Sequence, residues 1–318
     1  MRSGVQHKIW AAGRRVGLML LAAGRLSLCC GQDTNVAVTP DADSFVRSLA
    51  PDDNYGAAGA LSVSGSAATN SMGQQNGLFD TLVRFPMWDL AASLNATFGS
   101  NGWVVTGLAL NLTENATPNN AIFNRGIGAF EVRWIASNGW IEGSGNPRQP
   151  TDDGVTYQDL GSILNPAVDA SLGYFTNSGV SELESFPLPL ASALVSNILA
   201  GADLSLYLTA ASPAVGFTFN SRDFSDPGAW PSLAMQISAK PAARISSIER
   251  VGPGKVAIRF STASNWNYAV QAVPGLPTGP TQAWSNVFTV LARPADGQAV
   301  FLDDTTNRQT FYRLAVTR

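Results

Sequence analysis

Histidine and cysteine are nearly missing from this chain. Its 318 residues contain one histidine, His7, and two cysteines, Cys29 and Cys30, all within the first 31 positions. Beyond that stretch, serine–histidine and cysteine–histidine nucleophilic chemistry has no base, and a histidine-ligated zinc has no ligand. A disulfide framework is excluded too, so the fold must rest on a hydrophobic core, which this length allows. Lysine is scarce: only Lys240 and Lys255 follow the N-terminal region. No P-loop and no G-x-G-x-x-G run opens a helix. Charged residues make up only 14% of the chain, against 30 glycines and 18 prolines, a balance that suits turn-rich β-structure.

What is present starts with a distinct N-terminal segment. Arg2, Lys8, Arg14 and Arg15 form a basic head, Val16–Gly24 is apolar, and small residues precede a polar start at Gln32. This is the layout of a secretory signal peptide over residues 1–31, and its apolar run is far short of the roughly 20 residues that span a bilayer. Cleavage near Gly31 and lipid attachment at Cys30 both fit, although the bulky Leu28 disfavours the second. The expectation is an exported protein, secreted or at the cell surface, with no membrane span. Removing 1–31 takes five of the 20 basic residues and none of the 23 acidic ones, leaving 15 − 23 = −8. So acidic a chain has no electrostatic footprint for nucleic acid or an anionic membrane.

Downstream, the pattern is that of short strands. Ala42–Ser48, Leu61–Ser64, Thr81–Phe85, Val105–Leu112, Phe130–Ile135 and Leu204–Thr209 alternate apolar and polar residues, the period of a half-buried strand. The 113–129 connection makes the strand at 105–112 and the one at 130–135 expected neighbours. Residues 33–40 read as a lead-in, and 138–160 as a long loop, a length that is uncommon unless the loop is functional or self-packed. Leu188–Leu199 has helical spacing and runs into Gly201, a C-cap signal, giving one short helix. Phe217–Asn220 and Ser232–Ile237 read as a closing hairpin around a Pro/Gly-punctuated turn. Eight or more such strands describe a sandwich or jelly roll over 40–239. After a linker at 240–244, residues 245–318 hold six or seven more strands, the pattern of a small immunoglobulin-like or fibronectin-type-III-like sandwich.

Aromatic residues with polar neighbours point to sugar binding, because a flat ring stacks on the apolar face of a pyranose. Trp140, with Glu142 two residues on, and Tyr157 lie in the long loop; Trp103 follows Asn101-Gly102; Trp230 lies in the closing turn. Each is equally a packing residue, and a long loop needs packing of its own. Trp88 and Trp134 read as core. Arg222 suits either an acidic sugar or a nearby carboxylate. Glu142, Asp152, Asp153 and Asp159 share the long loop and offer the paired carboxylates of glycoside hydrolysis, or simply acceptors for turn N–H groups. Asp41, Asp43, Asp52 and Asp53 offer oxygen ligands for a structural calcium ion, without EF-hand spacing.

Taken together, Ala42-Asp-Ser-Phe-Val-Arg47, Asn54-Tyr-Gly56, Leu82-Val-Arg-Phe85, Trp140-Ile-Glu-Gly-Ser-Gly145, Asp153-Gly-Val-Thr-Tyr157 and Phe219-Asn-Ser-Arg-Asp223 with Pro231-Ser-Leu233 resemble the DNRLRE family of secreted β-sandwich domains. The match covers roughly 40–238 and lies in the order of the runs. It implies a jelly-roll fold and polysaccharide binding. Residues 245–318, with Tyr268, Trp284 and the ending Phe311-Tyr-Arg-Leu314, look like an accessory β-module of secreted bacterial proteins. The resulting expectation is an all-β, non-catalytic protein that attaches to extracellular polysaccharide or a cell-surface component. The alternatives are a structural extracellular protein without glycan specificity and a carboxylate-dependent polysaccharide-degrading enzyme.

Overall fold

The computed structural model describes residues 33–318 except 71, 116–126, 180–181, 276–282 and 305–308. The signal-peptide reading of 1–31, with His7, Cys29 and Cys30, lies outside the described residues. The chain forms two compact units, one from 34–97 with 105–237 and one from 98–104 with 238–318. Each is all-β in its architecture.

In chain order the first elements are β1 (Asp33–Val38), β2 (Ala42–Arg47), β3 (Ala60–Ser64), β4 (Phe79–Phe85), α1 (Trp88–Phe98), β5 (Trp103–Thr113) and β6 (Gly128–Ile135). They continue with α2 (Leu160–Ile163), β7 (Ala170–Asn177), β8 (Leu183–Pro187), α3 (Ser192–Ala200), β9 (Leu204–Ala210), β10 (Gly216–Asn220) and β11 (Ser232–Ala239). One sheet has the order β1-β11-β5-β8; the other runs β10-β3-β4-β9-β6-β7, with β2 paired to β4. Alternation sends Leu108, Leu110 and Leu112 of β5 and Leu233, Met235 and Ile237 of β11 into the core. Phe130 and Phe219 of the larger sheet meet Phe186 of the smaller one at ring-centroid distances of 5.1 and 6.3 Å. Burying each such ring contributes on the order of 2 kcal/mol, and their edge-to-face contacts add to it.

Several pairings differ from the sequence reading. The supposed closing hairpin is not one: β10 pairs with β3 and β11 joins the other sheet, so residues 221–231 cross from one layer to the other. β5 and β6, expected as neighbours, also lie in different sheets. The lead-in at 33–40 contains β1. Helix α3 is present and ends at Gly201, whose φ of 67° is the left-handed conformation that glycine adopts without cost. Two helices were not foreseen, α1 and α2. In α1, Leu90, Ala91 and Leu94 form the buried face, while Trp88, expected in the core, is 70% exposed at its first position.

The outer face of the larger sheet is covered by the long loop after β6. Trp140, Val155, Leu160 and Ile163 from that loop pack onto Ala42 and Val46 of β2, Leu82 of β4 and Tyr207 of β9. This covering places the loop's polar residues at one end of the sandwich.

The second unit holds the six expected strands: β12 (Ile245–Gly252), β13 (Lys255–Thr262), β14 (Asn267–Val273), β15 (Ser285–Val290), β16 (Gly297–Asp304) and β17 (Phe311–Thr317). They form two three-stranded sheets, β12-β13-β16 and β15-β14-β17. Ile258 and Phe260 from the first and Tyr268, Val270, Val290 and Val316 from the second share one core.

Candidate functional site

The long loop is held by one buried amide. Asn54, in the turn after β2, is fully buried. Its Nδ2 donates to the carbonyls of Glu142 (2.7 Å) and Val155 (2.8 Å), and its Oδ1 accepts from the N–H groups of Gly56 (3.1 Å) and Gly145 (3.2 Å). All four bonding positions of the amide are filled, so two segments about a hundred residues apart are fixed together. Glycine makes the close approach possible. A Cβ on Gly143 would lie 2.2 Å from Asn54 Oδ1, and its φ of 82° is itself one that side chains resist. A Cβ on Gly145 would lie 2.0 Å from the Asn54 carbonyl oxygen.

Beside this frame lies a cleft of about 720 Å³, lined by Asp41, Arg84, Glu142, Asp153, Arg222 and Trp230 among others. Two arginines span it. Arg84 of β4 donates from Nε and Nη2 to both oxygens of Asp41 (2.9 and 3.3 Å), and from Nη1 to the carbonyls of Asn138 and Trp140. Its guanidinium carbon also stands 5.2 Å from the Trp140 ring centroid. Arg222 grips Glu142 in the same two-pronged way, Nε to Oε1 at 2.7 Å and Nη2 to Oε2 at 2.6 Å. Glu142 Oε1 also accepts from the Asp43 N–H, and the Arg222 N–H donates to Asp43 Oδ2. A shallower depression of about 490 Å³ adjoins the cleft and shares Gly139, Trp140, Ile141 and Asp153 with it.

These surroundings set the charge states. Burial pushes the Asp43 carboxyl well above the usual range, helped by Glu142 and Asp223 and opposed by the Arg222 N–H and guanidinium. Asp153 moves the other way. Hydrogen bonds from the Thr151 hydroxyl and from the Ser144 hydroxyl and N–H lower it to about 2. Arg222 is raised further by its hydrogen bonds to Glu142. Under the loop, burial raises Asp80 despite hydrogen bonds to Thr209 and Tyr207, and raises the Tyr207 hydroxyl.

Of the residues singled out in the sequence, Trp140, Glu142, Arg222 and Trp230 all line this cleft, and Tyr157 and Trp103 do not. Trp140 is a correction as a stacking platform: it is 5% exposed, with Nε1 donating to Ser205 Oγ at 3.1 Å and Arg84 against its ring. Trp103 is only 2% exposed, and Tyr157 packs partly buried against the core under the loop. Trp230 remains as the half-buried ring of the cleft wall, its Nε1 donating to the Phe224 carbonyl at 2.8 Å. Arg222, considered for an acidic sugar, is paired with Glu142 instead. Asp153 accepts from the Thr151 hydroxyl and from the Ser144 hydroxyl and N–H, and Asp159 from the Thr156 hydroxyl and N–H.

Three of the four aspartates considered for calcium have separate partners. Asp41 takes Arg84, Asp43 takes the Arg222 N–H, and Asp53 accepts from the Tyr55 hydroxyl. Among the described residues no group of three or more acidic, histidine or cysteine side chains converges as a metal site. Asn54 and Arg84 were not singled out as functional. For Asn54 the sequence signal was the glycine-rich run Glu142-Gly-Ser-Gly145, which marks a backbone approached closely by something else. Among the described residues no helix is long and apolar enough to cross a membrane. No protein-family model matches this chain, and no curated protein matches it.

Proposed function

We propose that the protein is a secreted, non-catalytic carbohydrate-binding protein that attaches to extracellular polysaccharide or another cell-surface component. The carrying observation is the pair of adjoining depressions, about 720 and 490 Å³, which share Gly139, Trp140, Ile141 and Asp153 in their walls. Their sizes suit small-molecule sites, and two such depressions side by side suit consecutive units of a chain. The cleft offers the half-buried Trp230 ring and a wall of hydrogen-bonding groups fastened in advance, so little ordering remains to be done on binding.

A second reading, a structural extracellular protein without glycan specificity, is favoured by one feature. Both arginine–carboxylate pairs fasten segments of the fold to one another. The enzyme alternative has less support, because both carboxylate oxygens of Glu142 are engaged by Arg222. The test is depletion of the chain from solution by a panel of insoluble polysaccharides. The expected result is saturable retention on one polymer, weakened about tenfold or more by Trp230→Ala with an unchanged melt, as removal of a stacking ring requires. A folded chain retained by no polymer would leave the structural reading in place.

A further inference from the structure

The charge of the cleft restricts its ligand further. Its ionisable groups are three carboxylates, Asp41, Glu142 and Asp153, and two guanidiniums, Arg84 and Arg222. Arg84 keeps at most one donor to spare, the second hydrogen on Nη2: Nε and the other Nη2 hydrogen hold Asp41, and Nη1 holds two carbonyls. Arg222 spends Nε and one Nη2 hydrogen on Glu142, leaving Nη1 and the second Nη2 hydrogen unengaged by the described residues. Each cation is therefore already neutralised by a two-pronged carboxylate, and Asp153 adds a charge that stays ionised down to about pH 2.

The surrounding chain reinforces this. Residues 33–239 carry six arginines, no lysine and nineteen carboxylates, a formal −13, whereas 240–318 carry nine cations and four carboxylates, +5. A polyanion approaching the cleft meets a field of its own sign, and each guanidinium it could reach already has its charge cancelled by a paired carboxylate, so its desolvation is poorly repaid. An uncharged hydroxyl needs only single donors and acceptors, which Arg222 Nη1 and the rim carboxylate Asp153 supply.

We infer that the cleft selects uncharged polyhydroxylated chains and rejects uronate-bearing ones, an inference that rests on the carbohydrate-binding reading above. Neutral ligands then bind with little dependence on salt or chelator. Glu142 is the residue that sets the preference, because it cancels the arginine that keeps the most donors free.

The experiment uses a polymer pair that shares its linkage and differs only in oxidation at C6, mannan with polymannuronate. Retention of the folded chain is measured on each at about 20 and 500 mM NaCl, where screening of exposed charges differs strongly. The expected result is about tenfold stronger retention on the neutral member, changing less than about twofold with salt or EDTA. Equal or stronger retention on the acidic member would overturn the inference and leave carbohydrate binding standing. Retention on neither, by a chain that melts cooperatively, would overturn the binding reading and this inference with it. Glu142→Gln gives the converse test: it keeps an acceptor for Asp43 N–H and Arg222 but removes the charge. It should raise retention on the acidic member about threefold or more at low salt, with the gain lost at high salt. A variant with no such gain would show that Glu142 does not set the preference.

Discussion

Replacing Asn54 by alanine removes four hydrogen bonds at once and tests whether one amide holds the loop in place. The substitution strands the carbonyls of Glu142 and Val155 and the N–H groups of Gly56 and Gly145 around a fully buried position. Each buried polar group left unpaired costs about 1–3 kcal/mol, and water entering the vacated space offsets part of the sum because neighbouring losses are not additive. The expected loss is about 3–5 kcal/mol, or roughly 6–20 °C in the melting temperature for a chain of this size. The assay is thermal and urea unfolding followed by tryptophan fluorescence, with hydrogen exchange at the Gly56 and Gly145 amides reporting on the loop itself. Asn54→Asp serves as the size-matched control. It keeps both acceptors but turns a lone pair or a charge toward two carbonyls, so it should lose nearly as much. Gly143→Ala should fail similarly, since its Cβ would lie 2.2 Å from Asn54 Oδ1 at a φ of 82°. A loss under about 1 kcal/mol for Asn54→Ala, with Gly56 and Gly145 exchange unchanged, would refute the reasoning.

Three further outcomes are expected. The raised Asp43 carboxyl favours the fold while protonated, so its contribution is complete below the ordinary aspartate range near pH 4 and is lost as pH rises through its folded value. Asp43→Asn should therefore be more stable than the parent at pH 8 and nearly equal to it at pH 4 in parallel urea titrations. Asp153, lowered to about 2, has the opposite sign: its contribution is present above the ordinary range and fades as pH falls toward 2. NMR titration of its carboxyl carbon should show that low midpoint, moving upward when Ser144→Ala and Thr151→Val are combined. Trp88→Ala should change stability by less than about 0.5 kcal/mol because the ring is exposed, whereas Trp134→Ala, buried in β6, should cost about 3–5 kcal/mol. Equal effects at the two positions would contradict their placement.

Much of the candidate site was legible as residues and little of it as geometry. Trp140, Glu142, Arg222 and Trp230 were picked out because ringed and charged side chains in turns are the ordinary material of binding surfaces, and all four line the cleft. Their roles divided only in three dimensions. Trp140 lies under the loop with Arg84 on its ring, while Trp230 stays half-buried in the wall. Arg222 and Glu142, considered apart for sugar binding and for chemistry, are each other's partner across 80 residues. No local pattern encodes that pairing.

The strands were written in the sequence, because side chains alternate across a pleated backbone and burial on one side leaves a two-residue rhythm. That rhythm placed β2 to β6, β9 to β11 and all six strands of the second unit near their observed positions, and Gly201 marked the end of α3. It also made the chain all-β, with a core that needs no disulfide. The rhythm says nothing about which strand lies beside which. β10 and β11 separated into different sheets, as did β5 and β6, because sheet membership depends on how Phe130, Phe186 and Phe219 pack across the layers. Trp88 reached the surface because α1 turns Leu90, Ala91 and Leu94 inward. The cleft belongs to the tertiary structure alone: Asn54 reaches Val155 across 101 residues and Asp43 reaches Glu142 across 99, contacts that only a closed fold can bring within hydrogen-bonding distance.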